Sequence, residues 1–150
     1  MADDLSRGQL LARGVARHLL ERDFASLAEF VPGPGLRVDL MALGPKGEVW
    51  IIEGKSSRAD FMSDRKWQGY TLWCDRVFWA VDTDFPVDIL PDGTGLILAD
   101  AHDAEIVHWP DPTPLAAARR RALTLRFARI AARRLLEARD PGLPPRPGLG

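Results

Sequence analysis

The chain has little of what disulfide-bonded, zinc-binding or membrane-spanning proteins need. Its 150 residues contain one cysteine, Cys74, which excludes an internal disulfide and any cysteine-rich zinc site. Its uninterrupted apolar runs are only a few residues long, far below the ~18 residues of a membrane-spanning helix. Residues 1–4 are acidic at two positions and lack the basic start and apolar stretch of a signal peptide. We therefore expect a cytoplasmic protein with no membrane segment.

Composition and charge point to one folded domain with a basic end. The hydrophobic fraction is 46% and the charged fraction 27%, as in globular proteins. We assign residues 1–139 to one domain and predict that residues 140–150, with four prolines and three glycines, are disordered. Residues 1–111 carry 11 Lys and Arg against 19 Asp and Glu, whereas residues 112–150 carry nine Arg against two acids. This asymmetry favours either a polyanionic partner or docking of the basic segment onto the acidic body.

Hydrophobic periodicity predicts an α/β fold. Apolar residues at helical spacing and Pro/Gly punctuation predict helices over residues 5–22, 64–73 and 115–139. Alternating or continuous apolar runs predict strands over residues 28–31, 36–43, 48–55, 76–81, 96–99 and 105–109. The run at 48–55 is apolar on both faces, as in a strand covered on both sides. The order α-β-β-β-α-β, followed by a β-hairpin and a helix, predicts a mixed sheet flanked by helices.

Two acidic residues and a lysine fall on one predicted hairpin. With the turn centred near Pro45, Asp39 lies opposite Ile52 or Glu53. Because side chains alternate along a strand, only the Glu53 register puts both carboxylates on one face. In that register Lys55 joins them at one end of a buried strand.

This cluster predicts either metal chemistry or a structural ion pair. Two close, largely buried carboxylates repel each other, and Mg²⁺ or Mn²⁺ bound by Asp39, Glu53 and the Gly54 carbonyl would relieve that repulsion. Lys55 would then hold a water and offset charge on a phosphate, so the parts suffice for phosphodiester hydrolysis. In the alternative reading, Asp39 and Lys55 form a structural ion pair and Glu53 closes the end of a strand.

Other polar residues are candidates for the same reaction or for DNA contact. Lys66 and Tyr70, four residues apart on the predicted second helix, would reach the phosphate or the attacking water; alternatively Tyr70 packs in the core and Lys66 is solvated. Ser56 and Ser57 would donate hydrogen bonds to a phosphate. On the last helix, four arginines fall within an arc of about 80°, and they would contact DNA phosphates or dock on the acidic body. These four are Arg119, Arg126, Arg129 and Arg133.

The sequence resembles known nuclease and DNA repair families at these positions. Asp39 on the first hairpin strand and Glu53-Gly54-Lys55 on the second resemble the PD-(D/E)xK nuclease superfamily, with Val38 in place of the usual proline before the aspartate. The chain up to about residue 139 resembles the MmcB-like DNA repair family more specifically. The matching segments are residues 37–48, 52–57, 60–61, 64–67, 70, 74–75 and 122–129. The resemblance implies a restriction-endonuclease-like core and a role in DNA repair.

The resemblance also sets the function that we expect. Several members of the superfamily carry an additional glutamate ligand in the middle of the first helix, where this chain has Arg13 and Arg17, so we expect one metal ion. The predicted function is a Mg²⁺- or Mn²⁺-dependent DNA endonuclease that acts on DNA, with other repair proteins, as a monomer or homodimer. The alternatives are an inactive adaptor of the same fold that binds DNA or protein, and a small-molecule phosphoesterase.

Overall fold

Three helices and six strands make up the fold in a computed structural model that describes residues 5–64 and 67–145. The helices are α1 (Arg7–Leu20), α2 (Arg58–Ser63) and α3 (Ala117–Arg139). The strands are β1 (Ala25–Gly33), β2 (Leu36–Leu43), β3 (Val49–Gly54), β4 (Arg76–Val81), β5 (Gly95–Ala99) and β6 (Ala104–His108). Two 3₁₀ segments, Trp67–Leu72 and Val87–Ile89, complete the secondary structure. In the part of the chain that is described, no helix is long and apolar enough to span a membrane.

The six strands form one mixed sheet in chain order, from β1 to β6. Strand β2 pairs antiparallel with both β1 and β3. Strand β4 pairs parallel with both β3 and β5, and β6 pairs antiparallel with β5. The two parallel steps need crossover connections, and α2 with the first 3₁₀ segment supplies one of them. The predicted mixed sheet flanked by helices is therefore confirmed.

Helices cover both faces of the sheet. One face packs against α1 through a cluster that includes Val15, Leu19 and Ile52. The other face packs against α3 and the first 3₁₀ segment through a cluster that includes Ile51 and Phe127. All six residues of β3 are buried, so the prediction of a strand covered on both sides is confirmed.

The helix predicted over residues 64–73 is wrong in position and type. The α-helix begins at Arg58, because the Ser57 hydroxyl accepts a hydrogen bond from the Asp60 amide at 3.1 Å and caps it there. The Asp60 carboxylate in turn accepts a hydrogen bond from the Ser56 amide at 3.0 Å. The backbone amides of Ser56 and Asp60 at the start of the helix therefore both have acceptors. The helix ends at Ser63 with Asp64 as its C-cap, and Tyr70 lies in the separate 3₁₀ segment.

Strand β1 is longer than the predicted residues 28–31 because its whole length pairs with β2. It lies at the edge of the sheet, which tolerates Pro32. Glu29 has a left-handed backbone with φ of 50°, which interrupts the alternation that sequence patterns detect. Two α3 arginines reach this edge: Arg126 donates to the Val31 carbonyl, and Arg134 donates to the carbonyls of Ala28 and Glu29.

Candidate active site

The hairpin of β2 and β3 brings two carboxyl groups together at one end of the sheet. Leu40 pairs with Ile52, so Asp39 and Glu53 occupy the next position of the same register. The Asp39 amide donates to Glu53 Oε2 at 3.2 Å, and the Gly54 amide donates to Asp39 Oδ2 at 2.8 Å. The Glu53 register of the hairpin is therefore confirmed.

Glu53 is the more deeply buried of the two acids, with 4% of its surface exposed. Burial, then the hydrogen bond to Asp39 and the negative charge there, raise the pKa of Glu53 to about 9. Glu53 therefore carries a proton at neutral pH, and this proton offsets the repulsion between the two carboxyl groups. A bound divalent cation would offset the same repulsion more strongly, at the cost of releasing that proton.

A contact between two glycines brings the first turn of α1 against the end of β3. Gly8, in the first turn of α1, packs against Gly54, where a β-carbon would lie 2.2 Å from the Gly8 carbonyl oxygen. A β-carbon on Gly8 would lie 2.9 Å from the Gly54 carbonyl oxygen and 3.9 Å from Asp39 Oδ2. Because neither glycine has a side chain, the two backbones approach closely, and the Gly54 carbonyl oxygen and Asp39 Oδ2 both lie near Gly8.

The donor set fits one small divalent cation. Among residues 5–64 and 67–145, no three or more side chains of His, Cys, Asp or Glu converge as metal ligands. The site therefore offers the carboxyl groups of Asp39 and Glu53 and the Gly54 carbonyl, and Asp39 also lines a cleft with room for water. Mg²⁺ is commonly bound in this way, through one or two carboxylates and several waters.

Lys55 follows β3 directly, and its ammonium group is held by Asp64. The two side chains are 10% and 7% exposed, and Lys55 Nζ lies 2.8 Å from Asp64 Oδ2. Burial lowers the pKa of Lys55, but the hydrogen bond and the charge of Asp64 outweigh burial and raise it. Lys55 is therefore a fixed cation beside Glu53, and its ion-pair partner is Asp64 instead of Asp39.

Tyr70 packs in the core, which was one of the two alternatives for it, and its contact with the phosphate or the attacking water stays a prediction. Its ring is buried in the cluster beneath α3, and its hydroxyl donates to Asp64 Oδ2 at 3.3 Å. Burial and the neighbouring Glu53 raise the pKa of the Tyr70 hydroxyl well above its usual value. Tyr70 thus remains a neutral hydrogen-bond donor within the site. Lys66 lies outside the described residues.

Ser56 and Ser57 have hydrogen-bond partners at the entry of α2. The Ser57 hydroxyl caps that helix, and the Ser56 hydroxyl donates to Asp60 Oδ2 at 3.3 Å. Both serines follow Lys55 directly, so they lie next to the cluster. Their predicted contact with DNA stays a prediction.

The predicted arginine stripe lies on α3, and three of its members make contacts within the protein. Arg119 lies 4.0 Å over the Trp73 ring and donates to the Leu72 carbonyl. Arg126 donates to the Val31 carbonyl at 2.7 Å, and Arg133 donates to Glu137 and to a tail carbonyl. Arg129 is exposed. DNA contact by these residues stays a prediction, and Arg129 is the member best presented to solvent.

Two important residues were not predicted from the sequence. Asp64 was interpreted as a helix-entry residue, but it holds both Lys55 and Tyr70. Asp75 accepts two hydrogen bonds from the Arg120 guanidinium, at 2.6 and 2.7 Å, and two from the amides of Val49 and Leu115. The sequence signal for either residue is only an acid next to an apolar segment. Such an acid does not identify its partner.

Comparison with known proteins gives a family and a structural neighbour. The family described as DNA repair protein MmcB-like matches residues 4–142. A solved structure of a protein of unknown function from Silicibacter pomeroyi is 61% identical, with a TM-score of 0.91. The match covers 94% of this chain and 97% of that chain. None of the curated proteins matches.

Proposed function

Because the chain belongs to the MmcB-like family of DNA repair proteins, we propose that it is a metal-dependent DNA nuclease of the PD-(D/E)xK type. The observation that carries this proposal is the buried cluster of Asp39, Glu53 and Lys55 at the end of β3. A raised pKa at Glu53, a fixed cation and a cleft beside Asp39 are together expected of a catalytic site.

The topology supports a restriction-endonuclease-like core. The first helix precedes an antiparallel run of three strands, and a helical crossover then leads to a parallel fourth strand. The proposed acids lie on the second and third strands of that run. Strands β5 and β6 and helix α3 extend this core.

The proposed site divides the reaction between a cation and the chain's own residues. When bound, Mg²⁺ or Mn²⁺ would polarise the phosphate and lower the pKa of a bound water. Asp39, Glu53 and the Gly54 carbonyl would hold that cation. Lys55 presents a positive charge toward the same end of β3, where it stabilises the negative charge that develops on the phosphate.

Asp64 and Tyr70 hold the lysine in place for this role. Since Asp64 keeps Lys55 charged, the lysine acts as a cation and not as a base that accepts a proton. Tyr70 keeps its proton and supplies a neutral donor on the same side. We propose these two as positioning residues of the site.

A cleavage assay with a panel of DNA forms tests the proposal. Purified protein with Mg²⁺ or Mn²⁺ should cut at least one of single-stranded, nicked or branched DNA, and chelation should stop the cutting. Asp39→Asn should remove the activity. Binding of these DNAs without any metal-dependent cutting would favour the adaptor, for which the existing Lys55–Asp64 pair is a purely structural contact.

Metal binding should depend on pH. Below the Glu53 pKa of about 9, Glu53 must lose its proton before it can bind Mn²⁺. The affinity should therefore rise by up to about tenfold for each pH unit in that range. Titration calorimetry in two buffers of different ionisation enthalpy measures both the affinity and the number of protons released.

Two variants control the metal experiment. Glu53→Gln should lose most Mn²⁺ affinity, because it removes the anionic ligand. Glu105→Gln, at an exposed position of β6, should bind like the wild type. An affinity for Mn²⁺ that does not change from about pH 6 to 9 would contradict the assignment of Glu53.

Two measurements, the salt dependence of DNA affinity and the Tm, should distinguish the α3 arginines that contact DNA from those that stabilise the fold. Arg129→Gln should reduce the slope of log affinity against log salt by about 0.9, because one phosphate contact is lost. Combined with Arg119→Gln, the reduction should reach up to about 1.8. Arg126→Gln should instead lower the Tm, because it removes the bond to the edge of the sheet.

The matched control for these arginines is Arg17→Gln, at an exposed position of α1 outside the stripe. It should leave the salt slope close to that of the wild type. If the Arg119/Arg129 double variant also leaves the slope unchanged, α3 is not part of the DNA surface.

A further inference from the structure

A cleft of about 330 Å³ lies between α1 and β1, beside the candidate active site. Small residues line its walls: Ala12 and Ala16 on α1 and Ala28 on the facing strand. Leu40 on β2 adds a further apolar surface. Because these side chains are short or apolar, the cleft suits a flat, uncharged group.

The cleft is continuous with the proposed cation site. Asp39 lines the cleft, and its Oδ2 also accepts the Gly54 amide in the acid cluster. A molecule that occupies the cleft therefore lies next to the phosphate that Asp39 and Glu53 would serve. Because the two sites are continuous, the occupant of the cleft is a chemical group that is attached to that phosphate or lies next to it.

The polar side chains of the cleft define the chemistry of its occupant; they are those of Gln9, Arg13, Ser26, Glu29 and Asp39. Glu29 lines it, and the Gln9 side-chain amide donates to the Glu29 carboxylate and fixes it there. Ser26 Oγ is buried and has no hydrogen-bond partner among residues 5–64 and 67–145. Carboxylates such as those of Glu29 and Asp39 only accept hydrogen bonds, so the matching ligand must carry N–H donors. Arg13 donates to the Ala101 carbonyl at 3.1 Å, whereas a phosphate in the cleft would face the two acids and is disfavoured.

We propose that this cleft receives one unpaired nucleobase of the DNA strand whose phosphate lies at Asp39 and Glu53. The inference rests on the proposed function. A base is flat, its exocyclic amino group donates to a carboxylate, and its ring atoms pair with a hydroxyl. Cytosine and adenine satisfy these requirements, whereas thymine lacks the amino group.

Affinity for bulged DNA tests the inference without cleavage. Duplexes with one unpaired cytosine, one unpaired thymine or one abasic site are titrated in EDTA by fluorescence anisotropy. The cytosine bulge should bind about tenfold more tightly than the abasic bulge, with thymine between them, as for a base held in a pocket.

Two variants examine the cleft, and one controls for the substitution. Ala28→Leu fills the cleft from an exposed position of β1 and should bring the cytosine-to-abasic ratio close to one. Ser26→Ala removes the unpartnered hydroxyl, so it should reduce that ratio without lowering the Tm. Ala138→Leu, at an exposed position near the end of α3, should keep the wild-type ratio.

The results distinguish this inference from the proposed function. Equal wild-type affinity for cytosine and abasic bulges, an unchanged ratio in Ala28→Leu, or no binding to any duplex would overturn the inference. If Mn²⁺-dependent cleavage is present but the base preference is not, the nuclease stands and the cleft assignment fails. If the preference is present without cleavage, the cleft assignment stands and the nuclease fails.

Discussion

Lys55→Ala should lower the rate of the proposed phosphodiester cleavage by at least about a hundredfold, because it removes a preorganised positive charge from the reacting phosphate. DNA affinity should change little, since most of it comes from other phosphate contacts. Single-turnover cleavage with saturating Mn²⁺ measures the rate, and anisotropy in EDTA measures the affinity. Lys46→Ala, in the exposed hairpin turn, is the matched control.

The Asp64 side chain complicates the interpretation of that variant. With Lys55 removed, the buried Asp64 carboxylate loses its cation, which costs about 3–5 kcal/mol of stability. The double variant Lys55→Ala/Asp64→Asn should recover much of the Tm without recovering cleavage. If the double variant cuts DNA at the wild-type rate, Lys55 has only a structural role.

Asp75→Ala should lower the free energy of unfolding by about 3 kcal/mol. It removes two hydrogen bonds to the partly exposed Arg120 and leaves the amides of Val49 and Leu115 without an acceptor. Chemical denaturation measures the loss. Asp88→Ala, in the exposed 3₁₀ turn, should change stability by less than about 0.5 kcal/mol.

The pH dependence of stability provides an independent test of Asp75. Burial raises the pKa of Asp75, but the hydrogen bonds from Arg120, Leu115 and Val49 outweigh burial and lower it. The folded state therefore binds fewer protons than the unfolded state as the pH falls from the ordinary value of 3.8. The contribution of Asp75 is complete above that pH and is lost as the pH falls through the folded pKa. A variant that loses as much stability at pH 2 as at pH 7 would contradict this role.

The sequence predicted the elements that short-range patterns define. Strands β2 and β4 were predicted to the residue, because each apolar run is bounded by glycine, proline or charged residues. The position of the turn reduced the hairpin to two registers, with Asp39 opposite Ile52 or Glu53. The structure has the register that puts Asp39 opposite Glu53.

The wrong prediction concerns the connection between β3 and β4. Ser57 and Ser63 are both suitable N-cap residues, and the sequence does not show which one caps a helix. Ser57 caps α2 with Asp60, and Tyr70 takes a 3₁₀ conformation, with its ring packed beneath α3. This packing is a tertiary effect that overrides local helix propensity.

The ion pairs of Asp64 and Asp75 could not be predicted from the sequence for a different reason. Arg120 and Asp75 lie 45 residues apart and meet only because α3 crosses back over β3 and β4. The Lys55–Asp64 pair depends on how α2 ends. Charged residues on a sequence have many possible partners, and only the packing of the helices selects one.

The arginine bonds to β1 bear on how copies of this protein would aggregate. An unpaired edge strand is a template for further strands, and Arg126 and Arg134 occupy carbonyl acceptors that an added strand would need. The left-handed backbone at Glu29 further interrupts the row of backbone groups with which an added strand would pair. At the opposite edge, β6 pairs only with β5 in the sheet. Misassembly by strand addition should therefore begin at β6, and lysine substitutions on its exposed face are the way to improve solubility.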